Sequence, residues 1–243
     1  MISFIIPAHN EEELLGRTLA SLREAAAPLA HPFEIIVVND ASTDATGEVA
    51  AAHGAAVLNV SLRQIGMVRN AGASAASGDV FVFVDADTIV FPQTLRAALA
   101  ALDEGAIGGG AVVVFDGLNG LWERTLVGVW NRISRWMRWA AGCFVFVRRD
   151  AFEAVGGFDA EYFIGEEIIL SAALKRRGRF VVLPQSVTTS ARKARLYGKL
   201  ETLWLMLRLS VSGRKAWRRR EGLDMWYRRR NSPCRSDQKA RLS

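Results

Sequence analysis

Val80-Phe81-Val82-Phe83-Val84-Asp85-Ala86-Asp87 sets five apolar residues, β-branched and aromatic, directly against two carboxylates one residue apart. A continuous apolar run of this kind reads as a strand buried on both faces, as in a parallel sheet covered by helices. The carboxyl ends of such strands are where open α/β sheets place ligands. Two acids at i and i+2 on a chain leaving a strand can share one hard cation or the polar groups of a ligand, and Mg²⁺ or Mn²⁺ takes oxygen ligands of this type. Taken alone, the same acids serve equally well as caps of the following turn.

The preceding residues repeat the arrangement. Ile2-Ser3-Phe4-Ile5-Ile6 reads as a first strand stopped by Pro7, and Asn10 with Glu11 to Glu13 opens a helix to about Ala26. Glu34-Ile35-Ile36-Val37-Val38 is a second strand, running into Asn39-Asp40-Ala41-Ser42-Thr43-Asp44-Ala45-Thr46, a stretch dense in side chains that cap helices and bind polar ligands. A helix to about His53, a strand at Ala56–Val60 and a helix over Gln64–Ala76 complete the alternation, which predicts a mostly parallel sheet. Polar clusters therefore close successive strands: Asn10/Glu11, Asn39/Asp40 and Asp85/Asp87. In a parallel sheet these ends converge on one edge. No Gly-x-Gly-x-x-Gly and no Gly-x-x-x-x-Gly-Lys occurs, which excludes a dinucleotide fingerprint and a phosphate-cradling loop.

The chain of 243 residues is long enough for one large domain with an appendage. Cys143 and Cys234 are far apart and form no C-x-x-C pair, which argues against a disulfide framework or thiolate zinc site. No secretory leader is expected before the first strand. Charge is unevenly divided: from Arg192 onward there are 16 Lys and Arg against 4 Asp and Glu, whereas the rest is net acidic. A basic tail on an acidic body points to an anionic partner, a membrane surface in preference to nucleic acid because no nucleic-acid module is present. The alternative is a solvated tail.

Pro7-Ala8-His9-Asn10-Glu11, Val38 to Thr46, Arg69-Asn70-Ala71-Gly72, Asp85-Ala86-Asp87, Arg148-Arg149-Asp150-Ala151-Phe152, Gly156-Gly157-Phe158-Asp159 and Gly165-Glu166-Glu167 follow one another in an order that resembles the family 2 glycosyltransferases. The resemblance covers roughly residues 2 to 190. It implies a GT-A fold, a Rossmann-like, mostly parallel mixed sheet flanked by helices, here followed by a basic helical C-terminal extension. A domain over residues 1–190, with a nucleotide half to about 90 and an acceptor half from 91, would precede the extension at 191–243. The activity implied is inverting, metal-dependent transfer of a sugar from a UDP- or GDP-linked donor to a hydroxyl acceptor, with a lipid-linked acceptor as one option. A bacterial, cytoplasmic protein is expected, with peripheral attachment to the inner face of the cell membrane through the basic tail as one option.

By the same resemblance, Pro7, Asn10 and Glu11 border the nucleoside and Asp40 accepts from the base. Arg69 lies beside the nucleotide, with a structural ion pair as its alternative. Asp85 sits near the ribose, and Asp87 holds Mn²⁺ or Mg²⁺ at the diphosphate. Asn39 departs from the family's usual aspartate. Glu167 occupies the position of the general base, with Glu166 as its competitor, where the family usually has Glu-Asp. Ser190 and Arg192 lie where some members close a loop over the diphosphate. Rival classes are a nucleotidyltransferase, for which the turn after the first strand lacks a Gly/Lys-rich signature, and a non-catalytic nucleotide-sugar binder.

Two further stretches stand out. Leu121–Ala141 places Trp122, Leu126, Val129/Trp130, Ile133 and Trp136/Met137 at helical spacing among Arg124, Arg132, Arg135 and Arg138, which suits either packing on the sheet or a membrane interface. Cys143 begins an apolar strand and reads as a small core residue. A helix over Tyr197–Ser212 and arginine clusters at 218–220 and 228–230 are expected in the tail.

Overall fold

The computed structural model describes residues 1–117, 120–192 and 217–218. Its elements are β1 (Ile2–Ala8), α1 (Leu15–Ala26), β2 (Phe33–Asp40), α2 (Thr46–Ala52), β3 (Ala56–Val60), α3 (Ile65–Ala75), β4 (Val80–Val84), β5 (Thr88–Ile89), α4 (Pro92–Asp103), β6 (Ala106–Asp116), α5 (Leu121–Met137), β7 (Phe144–Arg148), α6 (Arg149–Ala154), α7 (Glu166–Lys175) and β8 (Arg179–Ser190). The strands form one sheet in the order β3-β2-β1-β4-β7-β6-β8-β5. β3, β2, β1 and β4 run parallel, β7 turns against both β4 and β6, and β8 is parallel to β6. This is the mostly parallel mixed sheet that the apolar strand runs predict.

Both faces of the sheet are buried, as the unbroken apolar strands require. Phe4, Ile6, Val82 and Val84 face α1 and α4, while Ile5, Val38, Phe81 and Phe83 face the layer of α3, α6 and α7. Phe81, Phe83, Phe152 and Phe158 make edge-on and tilted ring contacts there, with Phe83 and Phe158 centroids 5.0 Å apart. Gly72 on α3 sits against Ile5 and Val38 so closely that a Cβ would collide with both side chains. That contact brings α3 down onto the central strands.

The structure differs from the sequence expectation at element ends. Pro7 lies inside β1, because β4 pairs only with Ile2–Ile5 and the missing amide at Pro7 costs that neighbour nothing. The first helix starts at Leu15, and residues 10–14 form the connection that carries Asn10 and Glu11. The apolar run Phe180-Val181-Val182-Leu183 predicts a last strand, and β8 carries that strand on to Ser190. A bulge absorbs Pro184 and Gln185, since Leu183 faces Ala111 and Ser186 faces Val112. The Tyr197–Ser212 helix and most of the basic tail lie outside the described residues. Of that extension, Trp217 accepts a hydrogen bond from Phe163 N–H at 2.9 Å and Arg218 pairs with Glu161 at 3.0 Å, just before α7.

Candidate active site

Asp85 and Asp87 leave the end of β4 in a turn closed by Thr88 N–H donating to Asp85 O (3.1 Å). Three elements fix this turn. Thr18 on α1 donates its hydroxyl to Ala86 O (2.9 Å), Ser190 N–H on β8 donates to Asp87 O (3.2 Å), and the Thr189 hydroxyl donates to Asp87 Oδ1 (3.2 Å). Asp87 lines a small cleft with Arg17, Asp116, Thr189 and Ser190. Asp85 points the other way, towards α3. The two acids of the motif are thus divided between two environments.

On the α3 side, Arg69 is the centre. Its guanidinium is 1% exposed and reaches Glu166 Oε1 at 2.6 Å, Asp85 Oδ1 at 2.9 Å and the Gly142 carbonyl at 3.0 Å. Phe158 lies under it at 5.2 Å. Burial alone disfavours the charge, but the carboxylates of Asp85, Glu166 and Glu167 hold the guanidinium above its ordinary pKa. Arg69 therefore occupies the ion-pair position that the sequence left as its alternative, tying β4 to the amino end of α7.

Glu166 and Glu167 open α7 after Gly165, whose φ of 70° is the left-handed turn that aims the helix. Glu166 is buried in the pair with Arg69. Glu167 stays partly exposed, with its carboxyl beside Gly142, where a Cβ would lie 3.5 Å from Glu167 Cδ and 3.1 Å from Arg69 Nη2. Its pKa is pushed up to about 8, first by burial and then by the charge of Glu166, with Arg69 opposing. Cys143, next to Gly142, is a buried thiol pushed well above its usual range by burial and by Asp85 and Asp87, as a core residue would be.

The nucleoside-side residues form a connected rim. Asn10, at φ 54°, accepts from Thr43 N–H through its side chain (2.8 Å) and donates its own N–H to the Ser42 hydroxyl (3.0 Å). Glu11 N–H donates to Thr46 Oγ1 (2.8 Å), and the Glu11 carboxylate pairs with Arg192 at 2.5 Å. Asp40 accepts from Leu62 N–H (2.7 Å) and Arg63 N–H (2.9 Å), so it organises the chain between β3 and α3. Pro7 lies next to this rim at the end of β1. Asn39 donates to Asn59 Oδ1 (2.9 Å) across to β3. Asn70, beside Arg69, clamps Phe158 at its N–H (2.9 Å) and C=O (2.8 Å), which holds the Gly156-Gly157 turn.

The sequence did not single out Thr18, Asp116, Thr189 or Gly142. Thr18 and Asp116 carry no local signal, because they arrive from α1 and the end of β6. The Ala140-Ala141-Gly142 run of small residues before an apolar strand is the one cue that marked a close approach at Gly142. Among the described residues no cluster of three or more His, Cys, Asp or Glu is built to hold a metal. The Asp87 carboxylate and the Thr189 hydroxyl that it accepts from nonetheless offer oxygen donors at the cleft. Such a set fits Mg²⁺ or Mn²⁺, which usually bind through one or two carboxylates together with substrate phosphates.

A curled α/β sheet with paired acids at its central carboxyl edge and a second acid pair opening a later helix defines the GT-A class of nucleotide-sugar proteins. The Glycosyl transferase family 2 model matches residues 3–156, and the chain belongs to that family. It is 33% identical over 108 residues to a validoxylamine A glucosyltransferase of Streptomyces hygroscopicus subsp. limoneus, covering 42% of this chain and 23% of that one. An undecaprenyl-phosphate 4-deoxy-4-formamido-L-arabinose transferase of Klebsiella pneumoniae is 27% identical over 200 residues, 79% of this chain and 57% of the relative. The mannosyltransferase PcManGT of Pyrobaculum calidifontis, solved with GDP-Man and Mn²⁺, superposes with a TM-score of 0.62 at 19% identity, covering 86% of this chain and 64% of that one. The chain thus spans little more than half of the longer-matching curated relative and under a quarter of the other.

Proposed function

We propose that the chain is an inverting, divalent-metal-dependent glycosyltransferase that moves a sugar from a UDP- or GDP-linked donor to a hydroxyl acceptor. The observation that carries this reading is the link through Arg69, which sets the Asp85 carboxylate and the amino end of α7 on either side of one buried cation. The strand-end acids and the Glu167 carboxyl of raised pKa are thereby joined at one edge of the sheet. Asp87, beside the Thr189 hydroxyl, would hold Mn²⁺ or Mg²⁺, which would neutralise the charge developing on a departing nucleoside diphosphate, while Asp85 stays on the ribose side. The GDP-Man and Mn²⁺ of the Pyrobaculum mannosyltransferase support both the donor class and the ion.

Glu167 is the base. Its proton affinity suits removal of a hydroxyl proton near neutral pH, and its carboxylate stands outside the ion pair that occupies Glu166. A single displacement needs one such base on the acceptor side and inverts the anomeric centre. Pro7, Asn10, Glu11 and Asp40 form the rim on which the nucleoside would rest, Arg69 positions Asp85 from beneath, and Arg192 pairs with Glu11 at the edge of that rim. The Klebsiella relative is named for a lipid phosphate substrate, which supports a lipid-linked acceptor for this chain.

The test is donor turnover with and without Mn²⁺ by the unmodified chain and by Asp87→Ala. Metal-dependent turnover is expected in the first and a loss of at least about a hundredfold in the second. Unchanged metal-dependent turnover by Asp87→Ala sinks the assigned site.

A further inference from the structure

α5 packs with its polar side inward. Asn131 bonds the backbone of Val113 on β6 twice, accepting from its N–H (3.1 Å) and donating to its C=O (2.8 Å), and Ser134 is buried with its hydroxyl on Trp139 O (2.6 Å). Six large apolar residues point outward, while Val127 and Met137 are partly buried. Trp122 is 65% exposed and Trp136 80%, with Leu126, Val129, Trp130 and Ile133 exposed between them. At the helical spacing these residues fall on one stripe about 120° wide, the width that normally faces a protein core. Arg132 borders the stripe, with Arg124 and Arg135 further round the same flank. Of the alternatives open in the sequence, packing of the tryptophans on the sheet is therefore ruled out.

Both ends of α5 are fastened to the candidate site. The strand before it ends at Asp116, which lines the cleft with Asp87. The segment after it is held to α7, through Lys175 Nζ on Met137 O (2.8 Å) and Ala140 N–H on the Ser171 hydroxyl (3.1 Å), and then delivers the Gly142 carbonyl to Arg69. What seats on the stripe is therefore held close to the place where acceptor and donor would meet.

We propose that the outer face of α5 docks on an anionic lipid bilayer and so presents the site to an acceptor carried in that bilayer; the second half of this statement rests on the glycosyltransferase reading above. Tryptophan is the side chain that favours the membrane–water interface, where its ring is buried and its N–H stays solvated. The arginine flank supplies the complementary charge, and the sequence from Arg192 onward adds 16 basic against 4 acidic residues. A second copy of the chain is a poorer occupant, since it would bring together two helices that each carry three arginines against one glutamate. Among the described residues no helix is long and apolar enough to cross a membrane, so α5 lies along the surface.

The experiment is co-sedimentation of the full chain with vesicles of phosphatidylcholine, alone or mixed with phosphatidylglycerol. The unmodified chain is expected to pellet with the mixed vesicles. Trp122→Ser/Trp136→Ser is expected to lower partitioning at least about tenfold, with circular dichroism and melting temperature unchanged. Arg132→Gln/Arg135→Gln, on the exposed flank, should lose affinity for the mixed vesicles by about fivefold per arginine and change nothing on phosphatidylcholine alone, which keeps the proposal testable if the tryptophan variant is unstable. Partitioning of both variants within twofold of the unmodified chain overturns the proposal, as does a dimer that the tryptophan substitutions dissociate while vesicle binding persists. Lack of donor turnover by a chain that still pellets would count against the glycosyltransferase reading and leave the docking surface standing.

Discussion

Glu166 and Glu167 are chemically identical neighbours on the first turn of α7, and the fold gives them opposite surroundings. One is locked against Arg69, and the other is a half-buried residue whose carboxyl pKa is pushed up to about 8. Glu167→Gln is expected to cut turnover by about 10²–10⁴-fold while leaving donor binding intact, measured as kcat against a nucleotide-induced melting shift. Because only the ionised carboxylate accepts a proton, kcat/KM should rise with pH through about 8 in the unmodified chain, and this limb should vanish in the variant. Stability runs the other way. The native carboxyl holds its proton up to about 8 and the unfolded one only to about 4.5, so folding binds a proton in that window and stability falls as pH rises across it. Melting curves at pH 5 and pH 9 should show Glu167→Gln gaining on the unmodified chain at the higher pH, since the variant has no proton to lose.

α3 is the element on which the site is hung. Arg69 joins β4 to α7, Asn70 holds the turn before Tyr162, Gln64 donates to the carbonyls of Ala160 (2.6 Å) and Tyr162 (3.0 Å), and Gly72 permits the close approach to β1 and β2. Three of these residues lie in the Arg69-Asn70-Ala71-Gly72 motif, which thus acts chiefly by positioning. Arg69→Met removes the cation and leaves Glu166 buried beside Asp85 without compensation. A loss of about 3–5 kcal/mol in denaturant unfolding is expected. A double variant, Arg69→Met/Glu166→Leu, should recover much of it, because replacing both partners with apolar groups removes the orphaned charge.

At the scale of the whole molecule, ligand binding and folding are linked. If the sheet edge holds a metal–nucleotide complex, Mn²⁺ with the correct nucleoside diphosphate at a hundredfold over its Kd should raise the melting temperature by roughly 5–10 °C, and EDTA should cancel the rise. A screen of UDP- and GDP-sugars read in this way would also identify the base. A mostly parallel sheet with both faces buried, though not its strand order, was legible in the apolar strand runs, and the strand-end acids were legible in Asp85-Ala86-Asp87, because burial on both sides of a parallel sheet leaves a continuous one-dimensional trace. Element ends were less so. Pro7 reads as a stop, yet it lies inside β1 past the pairing with β4, an outcome that depends on a partner distant in sequence.

The chain by itself determined its alternation of strands and helices, the acids that close β1, β2 and β4, and the family to which the ordered motifs belong. These are local patterns, and each is complete within a few residues. Only the tertiary structure decided that Arg69 is spent on Asp85 and Glu166, that Glu167 alone of its pair stays accessible, and that the tryptophans of α5 face outward while Asn131 and Ser134 face in. Each of those outcomes depends on which surfaces meet across 16 to 97 residues of intervening chain. Spacing along the chain places residues on the same side of a helix; it does not say which side the protein will cover.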